Sequence, residues 1–382
     1  MPESRPLNRS AATSPPSAPA DQQQDALFAK AFSILQKAIS EKAFPAASIA
    51  VTCRQKLVCL KAFGRFTYDV GSPEATPASI FDLASVSKAV ATTTMAMILY
   101  ERGLLDLDAP VHAIVPEFCG DDPRRQDITL RMLLAHSSGL PAYEKLFLRA
   151  RNREELLHAV FTMPLTADPG TRSDYSDIGF IILGMALERL ADERLENFCQ
   201  REIFGPLGMT STTFAPPAAW RSVIPPTVDD QSFRRRIIQG EVHDENASVL
   251  GGVAGHAGLF ASAHDLATFA MAMLQGGAPI LRPETVALFT RRLPPPPRSS
   301  RALGWDTPSF PSQSGSYFSA KSFGHLGYTG ASLWIDPERQ LSITLLTNRT
   351  WPDCSNDAIQ KVRPEFHNAI VEALNSRPES RS

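Results

Sequence analysis

The stretch F-D-L-A-S-V-S-K-A-V-A-T-T-T-M-A-M-I-L-Y-E-R-G, residues 81–103, decides how the rest of the 382-residue chain is read. Its apolar run, Val86, Val90, Met95, Met97, Ile98 and Leu99, predicts a helix buried through the middle of a domain. Arg102 and Gly103 predict where it stops, because the helix dipole favours a cation in the last turn and glycine reaches positive φ without steric cost. In the first turn Ser85 and Lys88 stand three residues apart and therefore share a face. A serine hydroxyl becomes a nucleophile when a neighbouring base takes its proton, and a desolvated lysine whose pKa has fallen is such a base. Ser85 and Lys88 are thus the candidate catalytic pair. Burial of Lys88 is what separates this reading from a chance spacing on a solvated face.

Outward from that helix, both ends of the chain read as strand and helix. Residues 46–53 and 56–63 are β-rich runs separated by Arg54 and Gln55, the pattern of an antiparallel hairpin. Before them, Leu27, Phe28, Ala31, Phe32, Leu35 and Ile39 form a helical stripe over residues 26–41. The Ser, Pro, Ala and Gln composition of residues 1–24 predicts a disordered tail. Near the other end, strands are expected at residues 317–323, 332–335 and 341–347, then a helix from 356 to about 374. Between the ends, turns punctuated by Pro and Gly separate short helices at 128–136, 153–162 and 179–191, and Ser262 is placed to cap a helix over 264–274. The expected fold class is α/β: one domain over residues 25–382, its antiparallel sheet built from N- and C-terminal segments and flanked by helices, with a helical subdomain inserted over about residues 104–245.

With 38 basic residues against 40 acidic ones and no block of like charge, nucleic acid and membrane surfaces are poor partners and a small-molecule substrate is the expected one. Cys53, Cys59, Cys119, Cys199 and Cys354 are odd in number and lack metal-type spacing, so they read as free thiols. No signal-peptide core opens the chain and no run is long enough to span a bilayer; with the thiols, this predicts a cytoplasmic protein.

Three further stretches carry chemistry. P-G-T-R-S-D-Y-S-D, residues 169–177, puts Tyr175 in a polar loop before an apolar helix, where a nearby cationic lysine would favour its phenolate and let it pass protons. F-G-H-L-G-Y-T-G-A-S-L-W, residues 323–334, sets glycines beside a strand, where backbone N–H groups bind an oxyanion. V-H-D-E-N-A, residues 242–247, followed by a glycine-rich run containing His256, holds metal-ligand types, so a metal-dependent hydrolase using His243, Asp244 and His256 is one rival reading.

An S-x-x-K at the head of a buried helix, a Tyr loop about ninety residues on, and a [Lys/His]-x-Gly strand near the C-terminus resemble the penicillin-recognising serine hydrolases, in their class C β-lactamase, esterase and D,D-peptidase branch. L-L-A-H-S-S-G-L-P, D-Y-S-D-I-G-F and P-L-G-M-T-S-T-T-F are similar to that branch as well. The resemblance implies a β-lactamase/transpeptidase-like fold, Ser85 as the acylated nucleophile, Lys88 as the amine taking its proton and Tyr175 as partner acid and base. The N–H groups of Ser85 and Tyr328 would be the oxyanion donors, and Asp177, His325, Gly327 and Tyr328 would bind substrate. No metal or cofactor is implied. Asp177 stands where the family often has Asn, and His325 where β-lactamases have Lys. A histidine of ordinary pKa is mostly neutral at pH 7, which argues against efficient β-lactam hydrolysis and leaves ester or amide hydrolysis intact. Residues 242–247 are similar to a phrase in intracellular members that cleave N-acetylmuramoyl-L-alanine amides. The expected substrates are therefore a muropeptide-type amide or a small ester first, a D-amino-acid peptide next and a β-lactam last, the second rival being a binding module that is acylated but does not turn over.

Overall fold

The computed structural model describes residues 21–118, 120–294, 296 and 299–376, so most of the predicted tail and Cys119 lie outside the described residues. The strands are β1 (Ala46–Cys53), β2 (Lys56–Gly64), β3 (Ile80–Asp82), β4 (Thr213–Phe214), β5 (Val228–Asp230), β6 (Arg236–Ile238), β7 (Leu259–Ser262), β8 (Phe323–Leu326), β9 (Ser332–Asp336) and β10 (Leu341–Thr347). The main sheet is antiparallel in the order β2-β1-β10-β9-β8, so both ends of the chain supply it, as predicted. Arg54 and Gln55 close the β1–β2 hairpin with φ of 49° and 62°, the positive values whose twist matches that of the flanking strands.

Alternation along the strands assigns the two faces. Ala47, Ile49 and Val51 of β1, with Ile343 and Leu345 of β10, pack against the helices Ala29–Ser40 and Ile359–Asn375 through Phe32, Leu35, Phe366 and Ile370. Each of the Val, Ile, Leu and Phe side chains among these contributes about 1.5–3 kcal/mol by leaving water. Ala46 and Ala50 turn the other way, into the larger core that contains Val86, Val90, Met95 and Leu99. The Ala263–Leu274 helix packs on that face, its N-terminus capped by the Ser262 hydroxyl accepting from Asp265 N–H. A second sheet, β3-β7-β4, holds the entry to the central helix.

That central helix is not uniform. Lys88–Thr93 is a π-helical turn that continues as an α-helix over Thr94–Glu101. Thr94 Oγ1 donates to Ala89 O at 3.1 Å, and Thr92 Oγ1 to Gly255 O at 2.7 Å, so hydroxyls satisfy carbonyls that a wide turn and a buried loop would leave exposed.

Other expectations are corrected. Residues 21–24 do not belong to a tail: a helix begins at Asp21, and Gln24 is buried, with its Oε1 accepting from Leu60 N–H. Only Phe323 of the strand expected over 317–323 is extended, because the Asp336 carboxylate accepts from both Ser319 N–H and Ser319 Oγ and holds the preceding residues in a turn. The inserted region has the expected helices at Arg153–Phe161 and Asp177–Ala191, and it also contains β4 and the β5–β6 hairpin. None of the four described cysteines forms a disulfide. Among the described residues no helix is long and apolar enough to cross a membrane.

Candidate active site

Ser85 follows β3 at a tight backbone turn. Ala84, immediately before it, has φ of 45°, a left-handed conformation costing about 1–2 kcal/mol for a residue with a Cβ. Asp82 stabilises that turn. Its carboxylate, buried at the end of β3, accepts Ala84 N–H through Oδ1 at 2.8 Å and His243 N–H through Oδ2 at 2.6 Å, joining the Ser85 turn to the 242–247 segment. Burial pushes the Asp82 carboxyl up to about 6, against those two donors.

Protonating Asp82 turns one accepting oxygen into a hydroxyl and releases one of the two links. We therefore expect kcat/KM to fall below about pH 6, and Asp82→Asn to lose that limb while running at a lower plateau. The stability dependence has the opposite sign. A carboxyl raised from 3.8 to about 6 contributes stability that is complete below pH 3.8 and is lost as pH rises through 6, on the order of 3 kcal/mol. Urea melts and pH–rate profiles on the same protein check both; an acid limb unchanged in Asp82→Asn would assign it elsewhere.

Lys88 is fully buried, as the sequence reading required. Its Nζ donates to Ser85 Oγ at 2.9 Å, to Asp177 Oδ1 at 2.6 Å and to the His256 carbonyl at 2.9 Å. Three acceptors at one nitrogen describe an ammonium. The expected fall in its pKa is therefore corrected: burial works to lower it, but the Asp177 carboxylate, by its charge and its hydrogen bond, outweighs burial and raises it. The proton balance at Ser85 is thus set by an ion pair, and the carboxylate standing where the family often has an amide is its cause.

Tyr175 is also brought to the pair. Lys88 Nζ lies 4.9 Å from its ring centroid, and its hydroxyl is shut away from solvent without a geometrically sound hydrogen bond. Burial raises the phenol pKa and the Asp177 charge adds to this, outweighing the nearby Lys88, so the phenolate expected from the sequence is replaced by a neutral phenol able to donate a proton. His136, from the A-H-S-S-G-L-P phrase, fixes the ring's position. Its imidazole packs tilted against Tyr175 at 4.7 Å between ring centroids and stacks on Phe180 at 4.9 Å, and Nδ1 accepts Ser176 N–H at 3.0 Å. Ser176 in turn caps the Asp177–Ala191 helix.

The β8 segment closes the other side. Gly327 is required by close approach: a Cβ there would sit 2.3 Å from the Leu83 carbonyl oxygen. Thr329 Oγ1 donates to Asp82 O at 2.7 Å, tying the residues after β8 to the Ser85 turn. The backbone N–H groups of Ser85 and Tyr328 donate to no acceptor among the described residues, and both residues line one cavity of about 790 Å³. His325 Nδ1–H donates to Leu326 O at 2.8 Å, leaving Nε2 bare and buried. Burial, with Lys88 and Arg301 nearby, lowers its pKa to about 3, so no cation stands at this position near neutral pH.

Ser85, Tyr175, Asp177, His325, Gly327 and Tyr328 all line that cavity, with Lys88 behind Ser85. His243 and Asp244 line it too, but they do not converge as a metal site. Asp244 Oδ1 pairs with His256 Nε2 at 2.9 Å, whereas His243 Nε2 lies 3.5 Å from Cys354 Sγ. Among the described residues no group of three or more His, Cys, Asp or Glu side chains is arranged to hold a metal ion. Sequence reasoning missed Asp82, His136, Arg301, Arg349 and Arg363. Asp82 and His136 lay inside quoted phrases as polar residues in apolar surroundings; the arginines gave no local signal.

The beta-lactamase family model matches residues 28–362. Relatives from Salmonella agona (strain SL483) and Salmonella typhi, named as D-alanyl-D-alanine carboxypeptidases, are each 30% identical over 376 residues, covering 87% of this chain and 83% of theirs. Among solved structures, EstCE1, a hydrolase with promiscuous acyltransferase activity, superposes with a TM-score of 0.75 at 22% identity, covering 91% of this chain and 99% of its own. Unliganded simvastatin synthase (LovD) from Aspergillus terreus, as its selenomethionyl derivative, gives 0.73 at 24% identity, covering 94% and 100%. These structures share the fold.

Proposed function

The chain belongs to the beta-lactamase family and is a serine hydrolase; from that premise we propose that it cleaves a carboxylate-bearing amide or ester, a muropeptide-type amide foremost, through an acyl-enzyme on Ser85. The observation that carries the substrate class is a pair of arginines. Arg349 and Arg363 are both buried, both line the cavity containing Ser85, and neither has a carboxylate partner among the described residues. Arg363 donates to Gln313 Oε1 and Gly330 O, and its Nε has no hydrogen-bond partner among the described residues. Buried guanidinium groups without counter-charge are costly, and a bound carboxylate would supply that charge with strong, directional bonds.

In this reading Ser85 Oγ attacks the carbonyl, and its proton passes to Lys88 as Lys88 hands one to Asp177. The Ser85 and Tyr328 N–H groups hold the oxyanion. Tyr175 protonates the leaving group and recovers its proton from the Lys88–Asp177 pair. Water then repeats the sequence on the acyl-enzyme, ending with the carboxylic acid and a free Ser85 hydroxyl. The relatives' carboxypeptidase name supports a peptide-like acyl donor. A cytoplasmic place of action belongs to the same proposal, supported by described thiols that form no disulfide.

The test is a panel: a muropeptide amide, a peptide ending in D-alanyl-D-alanine, a neutral short-chain ester and nitrocefin. We expect kcat/KM highest on the muropeptide amide and lowest on nitrocefin, whose ring carboxylate would meet a neutral His325 where a lysine is usual. Arg363→Met should weaken carboxylate-bearing substrates by about 10–100-fold while sparing the neutral ester. Equal losses on both, or nitrocefin as the best substrate, would overturn the assignment.

A further inference from the structure

The segment joining residues 242–247 to His256 has no role in the steps above, yet it touches Lys88. Of the three acceptors at Lys88 Nζ, Ser85 Oγ and Asp177 Oδ1 exchange protons in the proposed reaction. The third, the His256 carbonyl, accepts a hydrogen bond but takes no part in proton exchange. It therefore withholds one N–H direction, and the two that remain point to Ser85 and Asp177. A carbonyl in this place is useful only if it cannot swing, and its backbone is glycine-rich: Gly251, Gly252 and Gly258 all have positive φ.

Two devices fix it. Gly255 is wedged against the Asp177–Ala191 helix, where a Cβ would come within 2.1 Å of Phe180 O, and its own carbonyl accepts from Thr92 Oγ1. The other device is the His256 side chain. The imidazole is buried, and its Nε2–H donates to Asp244 Oδ1 at 2.9 Å. Asp244 is itself held by Ala247 N–H at 2.7 Å, on the segment that Asp82 anchors through His243. Burial works against the charged form of Asp244, but His256 and the Ala247 N–H keep it ionised and accepting.

We propose that Asp244 and His256 are a positioning pair that aims the Lys88 ammonium, so that proton transfer runs only along the line from Ser85 to Asp177. They act through Lys88 and exchange no proton with substrate. The inference rests on the assignment of Ser85 and Lys88 made under Proposed function.

His256→Ala should lower kcat by about 10²-fold with KM within a few-fold of wild type, the loss expected from a small misplacement at the reacting centre. His256→Gln carries an amide N–H at the reach of Nε2 and should recover most of that loss. Asp244→Asn removes the charge with little change of volume, and the double variant His256→Ala/Asp244→Asn should lose no more than His256→Ala alone, as for groups acting as a unit. Acylation by a fluorophosphonate should slow in parallel with kcat. The pair has no positioning role if kcat stays within threefold in His256→Ala, if KM carries the loss, or if Gln fails to restore kcat in a variant that melts like wild type. Asp244→Asn keeps the question open to measurement should His256→Ala not fold. Ser85→Ala measured alongside separates the two levels: full activity there overturns the assignment of the nucleophile, whereas an inactive Ser85→Ala with an unaffected His256→Ala overturns only the positioning pair.

Discussion

Ser85→Ala is expected to lower kcat/KM on any turned-over ester or amide by roughly 10⁴-fold, with the melting temperature almost unchanged. The hydroxyl contributes one hydrogen bond from Lys88 Nζ, about 1 kcal/mol of stability, and Lys88 keeps Asp177 and the His256 carbonyl as acceptors without it. The loss should therefore be almost wholly chemical. Intact-mass spectrometry after a fluorophosphonate should show one adduct on wild type and none on the variant. A variant that still labels, or still hydrolyses a chromogenic ester, would remove Ser85 from the reaction.

The next largest effect concerns Lys88→Met, which should lose turnover by a comparable factor and in addition about 3–5 kcal/mol of stability. Methionine fits the volume, but Asp177 loses the cation 2.6 Å away, and Lys88 is fully buried where that ion pair sits. Adding Asp177→Asn to Lys88→Met should restore most of the stability and none of the activity, since the orphaned charge is gone and the proton relay is still missing. Lys88 is raised above its ordinary 10.5, so its share of stability is complete below that value and is lost as pH rises through the higher folded value. Denaturant melts of the two single variants and the double, with kcat alongside, decide it. A Lys88→Met protein as stable as wild type would mean that the ion pair contributes nothing to the fold.

How much of this was legible beforehand depended on how local each cause was. The β1–β2 hairpin was readable because Arg54 and Gln55 sit between two β-rich runs, and the Ala263–Leu274 helix because its capping hydroxyl is three residues from the N–H it accepts. Ser85, Lys88 and Tyr175 could be named from short motifs, and the structure brings them together. The protonation states could not be read. Lys88 was expected to lose its proton because burial alone acts that way, and only the carboxylate of Asp177, delivered by a separate helix, reverses the outcome. Tyr175 failed for the mirror reason: its expected neighbour was a cation alone, and burial together with Asp177 outweighs it. Arg349 and Arg363 look in sequence like ordinary solvated residues, and their meaning comes from being buried in the cavity wall with no carboxylate in ion-pair contact among the described residues. The strand expected over 317–323 had suitable composition, but a side chain from β9 claimed its backbone first.

The register of the sheet sets a timetable for biosynthesis. Ala47 of β1 pairs with Thr347 of β10 and Cys53 with Leu341, so one side of β1 has no partner until β10, far along the chain, has left the ribosome. During that interval the nascent chain carries an eight-residue strand with an apolar flank and an unpaired edge, the combination most prone to mispairing. A hairpin made early must wait for a strand made late, which makes closure of the sheet a slow, long-range event. Chaperone demand should accordingly persist until β10 has been translated, and a message cut just before the codons for β10 should yield insoluble material in place of a weakened enzyme.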